Sequence, residues 1–338
     1  MKTVGMLRSI KQPGILARTI AYMCHFNDIV FFYFTPEDVD TEHQQINGLF
    51  LENGHWRRGI IGYPDVVDNE PMKAVNKSIY DSLQTVSVMT THTLGGKNKV
   101  FKMLSQSNNF KDVLIPYRLV KKPEDILDFL TRYQKILLKP MFSNQGRNIY
   151  VIDRCDDKIT LSDDMTSRTL NEEDLLPLIN DKFLKPNYIC QPFFESKTKE
   201  GHPFDIRLHV RKNEKGQWQK VKIYPRIGLG RHITSNISQG SGISPIVPFL
   251  KANFGDNWKD IKRRLEQLCV SFPKRFERFY DYELDALGID LGVNPQGEIG
   301  LFEVNTYPGQ QFFYAEDSEV RVSYYQYLLN RIHSDRAQ

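Results

Sequence analysis

Three groups of residues in this sequence could carry chemistry. The first is Lys139. It closes the apolar run "KILLKP", ahead of a donor-rich loop, "MFSNQGR", and a second apolar run, "NIYVI". A lysine at a strand end is ordinarily a solvated surface charge. The loop beside it allows another use, a cover for phosphate with the ammonium aimed at a nucleotide. The second group lies in "DIRLHVR", whose alternation puts Asp205, Arg207, His209 and Arg211 on one face of a strand and Ile206, Leu208 and Val210 on the other. "VKIYPR" repeats the pattern with Lys222, Tyr224 and Arg226. Two such strands side by side would make a cationic floor for an anion; the plainer reading is a sheet with one wet face. Pro225 implies a strand end or a bulge. The third group is "GIDLGVNPQGEIGLFEVN". Glu303 and Asn305 are two apart and leave one face of a strand, and a hairpin through Asn294 and Gly297 can fold Asp290 beside them. Two carboxylates and an amide oxygen are hard ligands that suit Mg²⁺, which keeps waters and borrows phosphate oxygens. The alternative is a hydrogen-bonded polar cluster at a hairpin end.

Around these groups the sequence supplies positioning elements. "TVGML", "ILARTIAYMCHF" and "DIVFFYF" read as strand, helix and buried strand, the opening of an α/β lobe. "GLFLENGHWRRGI" reads as a hairpin turning at Asn53-Gly54. "TTHTLGGKNK" is polar and leads into a helix start, "KVFKML". "PEDILDFLTRYQ" is the clearest helix, with Pro123 in its first turn, Glu124 and Asp125 facing the positive dipole end, and Ile126, Phe129 and Leu130 on one face. An acidic helix starts at Asn171, "YICQPFF" is a strand, and "WKDIKRRLEQLCVSFPKRFERF" is a basic amphipathic helix whose charges read as a solvated face. There is no internal repeat and no low-complexity segment.

Composition narrows the class. A chain of 338 residues has room for two or three domains. The net charge of +4 is too mild to argue for nucleic acid. Cys24, Cys155, Cys190 and Cys269 are scattered, without metal spacing, as expected of reduced thiols in a cytoplasmic protein. No segment approaches the roughly 18 apolar residues that a membrane span requires. The histidines, His209 and His232 among them, lack metal-like spacing and read as structural. GxSxG, HExxH and GxxxxGK[ST] are absent.

Taken in order, the segments from about Gly96 to Gly309 resemble the ATP-grasp superfamily. "GKNKVFKML" is similar to the segment whose lysine reaches ATP phosphates, which would be Lys99. "LLKPMFSNQGRNIYVI" resembles the second phosphate lysine, Lys139, with its mobile glycine loop at Gly146. "YICQPFF" resembles the adenine-holding hinge, giving Gln191, Pro192 and Phe193. "DIR" is similar to a ribose and substrate-side segment, giving Asp205 and Arg207. "KIYPRIG" and "SNISQG" resemble the strand and loop with a catalytic arginine, Arg226, and a nucleotide-side asparagine, Asn236. "GID" and "LFEVNTYPG" are similar to the Mg²⁺ motif, Asp290, Glu303 and Asn305. "INGLF" and "YPDVVDNE" extend a narrower resemblance, to the YheC/YheD group associated with endospore coats, over nearly the whole chain. Two positions depart from the pattern: Arg147-Asn148 follow Gly146 where a second glycine is common, and Pro192 stands where glutamate is common, leaving adenine to backbone groups.

The resemblance implies an α/β (α+β) ATP-grasp fold: an N-terminal lobe over 1–95, a small subdomain with the phosphate loop over 96–192, and a large subdomain with the Mg²⁺ site over 193–338. It implies ATP and Mg²⁺ as cofactors and a carboxylate–amine ligase that forms an amide through an acylphosphate. The partners would be a carboxylate substrate and an amine acceptor, amino acid or peptide, with spore-coat proteins as further partners, and no nucleic acid or membrane span. A kinase that stops at phosphorylation and a non-catalytic nucleotide-binding coat protein are the alternatives. The location would be cytoplasmic or spore-coat associated.

Overall fold

The computed structural model describes residues 1–141, 148–156, 158–184, 188–229 and 242–336. The first lobe begins with β1 (Thr3–Leu7), α1 (Ile15–Phe26) and β2 (Val30–Phe34), the two strands running parallel with Thr3 opposite Val30. α1 forms because Ala17, Ile20, Ala21 and Cys24 recur at helical spacing and bury one stripe. After the short β3 (Val39–Asp40), β4 (Gln45–Glu52) and β5 (His55–Gly62) form the Asn53-Gly54 hairpin. Both turn residues have positive φ, 49° and 80°, which the type I′ turn requires and which Asn and Gly tolerate. β6 (Val66–Asn69) lies parallel to β1, α2 (Lys77–Gln84) follows, and β7 (Val88–Met89) pairs with β6. The sheet order is β3-β4-β2-β1-β6-β7, with β5 on β4.

The second sheet is antiparallel. α3 (Lys97–Gln106) precedes β8 (Arg118–Leu119), α4 (Pro123–Tyr133), β9 (Lys135–Pro140), β10 (Tyr150–Cys155), β11 (Lys158–Ser162), β12 (Ser167–Leu170), α5 (Glu172–Leu178) and β13 (Tyr188–Pro192). The strand order is β12-β11-β10-β9-β13-β8. Asp125 accepts the backbone N–H groups of Lys121 and Lys122 and so fixes the start of α4. Ile126, Phe129 and Leu130 of α4 pack on Ile136 and Leu138 of β9 and Leu175 of α5. Alternation therefore turns Lys139 to the opposite face, where Phe101, Met141 and Ile189 form a small second cluster.

The third sheet comprises β14 (Phe204–Lys212), β15 (Trp218–Ile227) and β16 (Gly242–Ile243), then, after α6 (Ile246–Phe254) and α7 (Trp258–Phe276), β17 (Ala286–Val293) and β18 (Ile299–Asn305). The order is β16-β15-β14-β17-β18. Its apolar face packs on α6 and α7 in the largest core, which also takes in Leu94, Val100, Leu104 and Phe110 around α3. The opposite face is not wet. All nine residues of β14 are buried, because Asp205, Arg207, His209 and Arg211 each meet a charged partner on that side. Pro225 neither ends β15 nor bulges it. It sits opposite Ile206 on a strand whose outer neighbour, β16, pairs only with Arg226 and Ile227, so no ladder donor is lost there; the register shift falls at His209/Val210. α8 (Tyr314–Asp335) returns to the first lobe, where Val322, Tyr325, Leu328 and Leu329 complete the core around Ile20 and Cys24.

Candidate active site

The register of the third sheet lines up the polar residues in a cross-strand row. Tyr224 faces Arg207, Arg207 faces Asp290, and Asp290 faces Glu303. The next row includes His209, Gly288 and Asn305. Directly opposed side chains on one face lie within contact distance, so the fold converts four separate motifs into one surface. Arg207 grips Asp290 with two parallel donors, Nε to Oδ1 and Nη2 to Oδ2, the latter at 2.9 Å. Arg226 donates Nε to Asp205 Oδ1 at 2.6 Å and holds Asp290 Oδ2 through Nη2 at 3.0 Å. Asn305 Nδ2 donates to the same Oδ2 at 3.2 Å. Burial alone would raise the Asp290 carboxyl; Arg207 and Arg226 reverse that and hold it below the usual carboxylate range. Burial likewise works against the Arg226 charge, and Asp205 and Asp290 overcome it.

Lys139 approaches this row from the second sheet. Its Nζ lies 3.3 Å from the Phe302 carbonyl oxygen and 4.6 Å from the centroid of the Phe101 ring. Desolvation pushes its ammonium down to about 8, against the pull of Glu303 and with the push of Lys97. Lys97 Nζ is 3.2 Å from Glu303 Oε1. Lys97 and Glu303 line a cavity of about 460 Å³ whose wall also includes Gly95, Gly96, Met141 and Asn305. The first turn of α3 opens on that cavity, with its N-terminal backbone N–H groups, an arrangement that favours anions.

The structure thus brings Glu303 and Asn305 to the cavity wall, with Asp205, Arg207, Arg226 and Asp290 in the adjoining ion-paired row; Lys139 stands behind the wall, on the Phe302 carbonyl and within the electrostatic influence of Glu303. Lys99 does not join them. It is exposed, 5.8 Å from the ring of Tyr280. Two residues along a helix turn a side chain by about 200°, so only one of the two lysines of "KNK" can face the cavity, and that one is Lys97. Gln191, Pro192 and Phe193 do not line this cavity. Gln191 is buried with no partner for its Nε2 among the described residues, and the Phe193 ring lies 5.0 Å from Lys135 Nζ at the far end of β9. Gly146 and Asn236 lie outside the described residues.

Part of the donor set suits Mg²⁺. Glu303 and Asn305 present hard oxygens at the cavity wall, as such an ion requires. Asp290 differs from the sequence expectation, because both its oxygens are already taken by guanidinium and amide donors. It lies behind the wall, where its bond to Asn305 Nδ2 turns the amide oxygen of Asn305 away from it. Among the described residues no three or more His, Cys, Asp or Glu side chains are grouped to share an ion. The fit therefore holds for Glu303 and Asn305, with the remaining positions left to phosphate and water. Sequence reasoning missed Lys97. The signal was present in the doubled lysine after Gly95-Gly96, but the choice between them depends on where α3 begins.

Two sheets meeting beside one cavity, with a lysine of one next to the hard oxygens of the other, have the architecture of an ATP-grasp fold. Solved structures share the architecture. N5-carboxyaminoimidazole synthetase from Staphylococcus aureus, complexed with ADP, matches with a TM-score of 0.54 at 13% identity, over 95% of this chain and 76% of that one. The ATP-grasp ligase PsnB, complexed with precursor peptide PsnA2 and AMPPNP, matches with a TM-score of 0.51 at 11% identity, over 99% and 98%. The chain belongs to the YheC/D-like ATP-grasp family, whose model matches residues 87–333. It is similar to two endospore coat-associated proteins of Bacillus subtilis (strain 168). Identity to YheD is 23%, over 92% of this chain and 71% of that protein; identity to YheC is 24%, over 90% and 87%.

Proposed function

We propose that this protein is an ATP-dependent carboxylate–amine ligase that forms an amide or peptide bond through an acylphosphate, on a peptide of the spore coat or cell envelope. The observation that carries the reading is the approach of Lys139, from the second sheet, to Glu303 of the third: its Nζ lies on the carbonyl of the neighbouring Phe302, and Glu303 lines the cavity beside it. ATP binds there with its polyphosphate on Lys139 and the first turn of α3. Glu303 and Asn305 would hold Mg²⁺, which would supply neutralisation of polyphosphate charge and polarisation of the phosphoryl group. Arg226 holds the substrate carboxylate during phosphoryl transfer and then the oxyanion that develops when the amine attacks. Arg207 acts through Asp290, keeping that carboxylate ionised so that it orients both Arg226 and Asn305. The acylphosphate carbonyl is attacked by the amine, the C–O bond to phosphate breaks, and the amine proton leaves to phosphate or solvent. The coat-associated naming of YheC and YheD supports a peptide acceptor, and the peptide bound by PsnB is consistent with it.

The test is ADP release in Mg²⁺ against amino acids and acidic peptides, followed by product mass. Ligation requires both a carboxylate and an amine for ADP release and gives a product at the mass of the amide. A phosphorylated product that persists when an amine is supplied identifies a kinase instead. Release of ADP by Lys139→Ala or Glu303→Ala at the wild-type rate would remove that residue from the scheme.

A further inference from the structure

The cavity poses a question of charge that the ligase scheme does not answer. Among the described residues, the row, the cavity wall and Lys139 beside it carry four cations, Lys97, Lys139, Arg207 and Arg226, against three carboxylates, Asp205, Asp290 and Glu303. Each carboxylate already has a cationic partner: Arg226 for Asp205, Arg207 and Arg226 for Asp290, and Lys97 for Glu303. A bare divalent cation approaching Glu303 therefore meets a net positive site and must displace an ammonium. A polyphosphate meets the opposite situation, since it adds several negative charges within reach of both lysines and the first turn of α3.

We propose that Lys97 is a latch on the cation site: without polyphosphate its ammonium occupies Glu303, and a divalent cation gains that carboxylate only once a nucleotide has drawn Lys97 away. Lys97 is suited to the exchange. It stands in the first turn of α3 on a flexible four-carbon stem, directly after Gly95 and Gly96, so its ammonium can swing from Glu303 to a phosphate without moving the helix. The pair is partly exposed, with side-chain accessibilities of 25% and 33%. Such pairs are individually weak, so the latch opens readily. Lys139 is not the group on Glu303: its Nζ lies on the Phe302 carbonyl, and the ammonium paired with Glu303 is that of Lys97. The latch makes cation and nucleotide affinities interdependent, and thermodynamic linkage requires the same factor in both directions.

This inference rests on nucleotide binding at the cavity, and one experiment separates the two. Mn²⁺ binding to the full chain is followed through the free-ion electron paramagnetic resonance signal, with and without ADP, and ADP binding is followed by calorimetry with and without Mn²⁺. In the wild-type protein ADP should tighten Mn²⁺ binding by about tenfold or more, and Mn²⁺ should tighten ADP by the same factor. Lys97→Met should bind Mn²⁺ alone more tightly than wild type and show a smaller mutual factor, while binding metal-free ADP more weakly. ADP that binds while Mn²⁺ affinity stays the same with and without it overturns the latch alone, as does an undiminished factor in Lys97→Met. Failure of ADP to bind with or without Mn²⁺ overturns the nucleotide reading and the latch with it.

Discussion

At the scale of single residues, the site depends on a missing side chain. Gly288 lies next to Asn305 in the sheet, and a Cβ there would stand 2.7 Å from Arg207 Nη1 and 2.9 Å from Pro308 Cβ. The absent methyl is what lets the guanidinium lie flat across β17 to reach Asp290. Gly288→Ala should cost roughly 1–3 kcal/mol of stability through overpacking, measured by urea unfolding. It should also slow turnover by up to about 100-fold, because small displacements of a positioning group have large kinetic effects. A folded Gly288→Ala protein with wild-type turnover would show that Arg207 has no part in positioning. Lys139 gives a second prediction. Its ammonium is pushed down to about 8 chiefly by desolvation, so the charged form, to which the proposed scheme assigns the polyphosphate, is lost as pH rises through that value. ADP affinity should therefore fall between pH 7 and 9. Lys139→Arg, whose guanidinium stays charged throughout, should bind with little pH dependence over that range; a wild-type profile that is already flat would count against a polyphosphate contact. For stability the sign is opposite. The unfolded lysine binds its proton up to its ordinary 10.5, so between about 8 and 10.5 this residue makes the folded state gain as pH rises.

At the scale of elements, the strap from Thr90 to Gly96 carries the cavity wall from the first lobe to α3. Its carbonyls are held from outside. Tyr282 OH donates to Thr93 O at 2.7 Å, Tyr280 OH to Leu94 O at 3.0 Å, and Thr306 Oγ1 to His92 O at 3.1 Å. The double change Tyr280→Phe/Tyr282→Phe removes two of these bonds, at about 1 kcal/mol each, and leaves the rings in place. It should weaken ADP binding severalfold and speed amide hydrogen exchange at residues 93–97; unchanged exchange there would show that packing alone holds the strap. These elements also separate what the sequence discloses from what it withholds. α1, α4, the Asn53-Gly54 hairpin and the β17–β18 pair are written in local periodicity and turn chemistry, and they stand where the sequence places them. The burial of the polar face of β14 is not local information. A strand of alternating polarity looks half-exposed until the residues that cover it are known, and those arrive from β15, β17 and α8, about 20, 80 and 110 positions later. The preference for Lys97 over Lys99 was equally hidden, since it turns on a difference of one or two residues in where α3 starts.

At the scale of the whole molecule, a buried chain of charges binds the lobes together. Arg8 and Arg321 pair with Asp68 at 2.8 Å each, Arg321 Nε and Arg211 Nε meet the two oxygens of Asp317 at 3.1 and 2.8 Å, and Arg211 Nη1 reaches Asp285 at 3.0 Å. The first lobe, α8 and the third sheet thus share one network, and its sheet end lies beside the candidate-site row. His209 donates to Asp317 from Nε2, 2.9 Å away, with its ring edge against Phe313. Burial pushes that imidazole down to about 4 despite the pull of Asp317, so it is neutral in the folded protein at neutral pH. An unfolded histidine takes up its proton near 6.5, so the unfolded state binds more protons between about 6.5 and 4, and stability falls as pH falls through that window. Asp317 acts lower. Burial would raise its carboxyl, but Arg211, Arg321 and His209 hold it well below the usual range, so the stability it contributes is lost only below about 3.8, as pH falls toward its folded value. Urea midpoints should therefore drop in two stages, and His209→Gln should abolish the first stage while keeping the second. Asp317→Asn is a different perturbation, because it leaves Arg211 and Arg321 buried with too little negative charge. It should cost about 3–5 kcal/mol at neutral pH. A His209→Gln protein with the same loss between pH 6.5 and 4 as wild type would move the acid sensitivity to other groups, and with it the view that this network fixes the first lobe against the site.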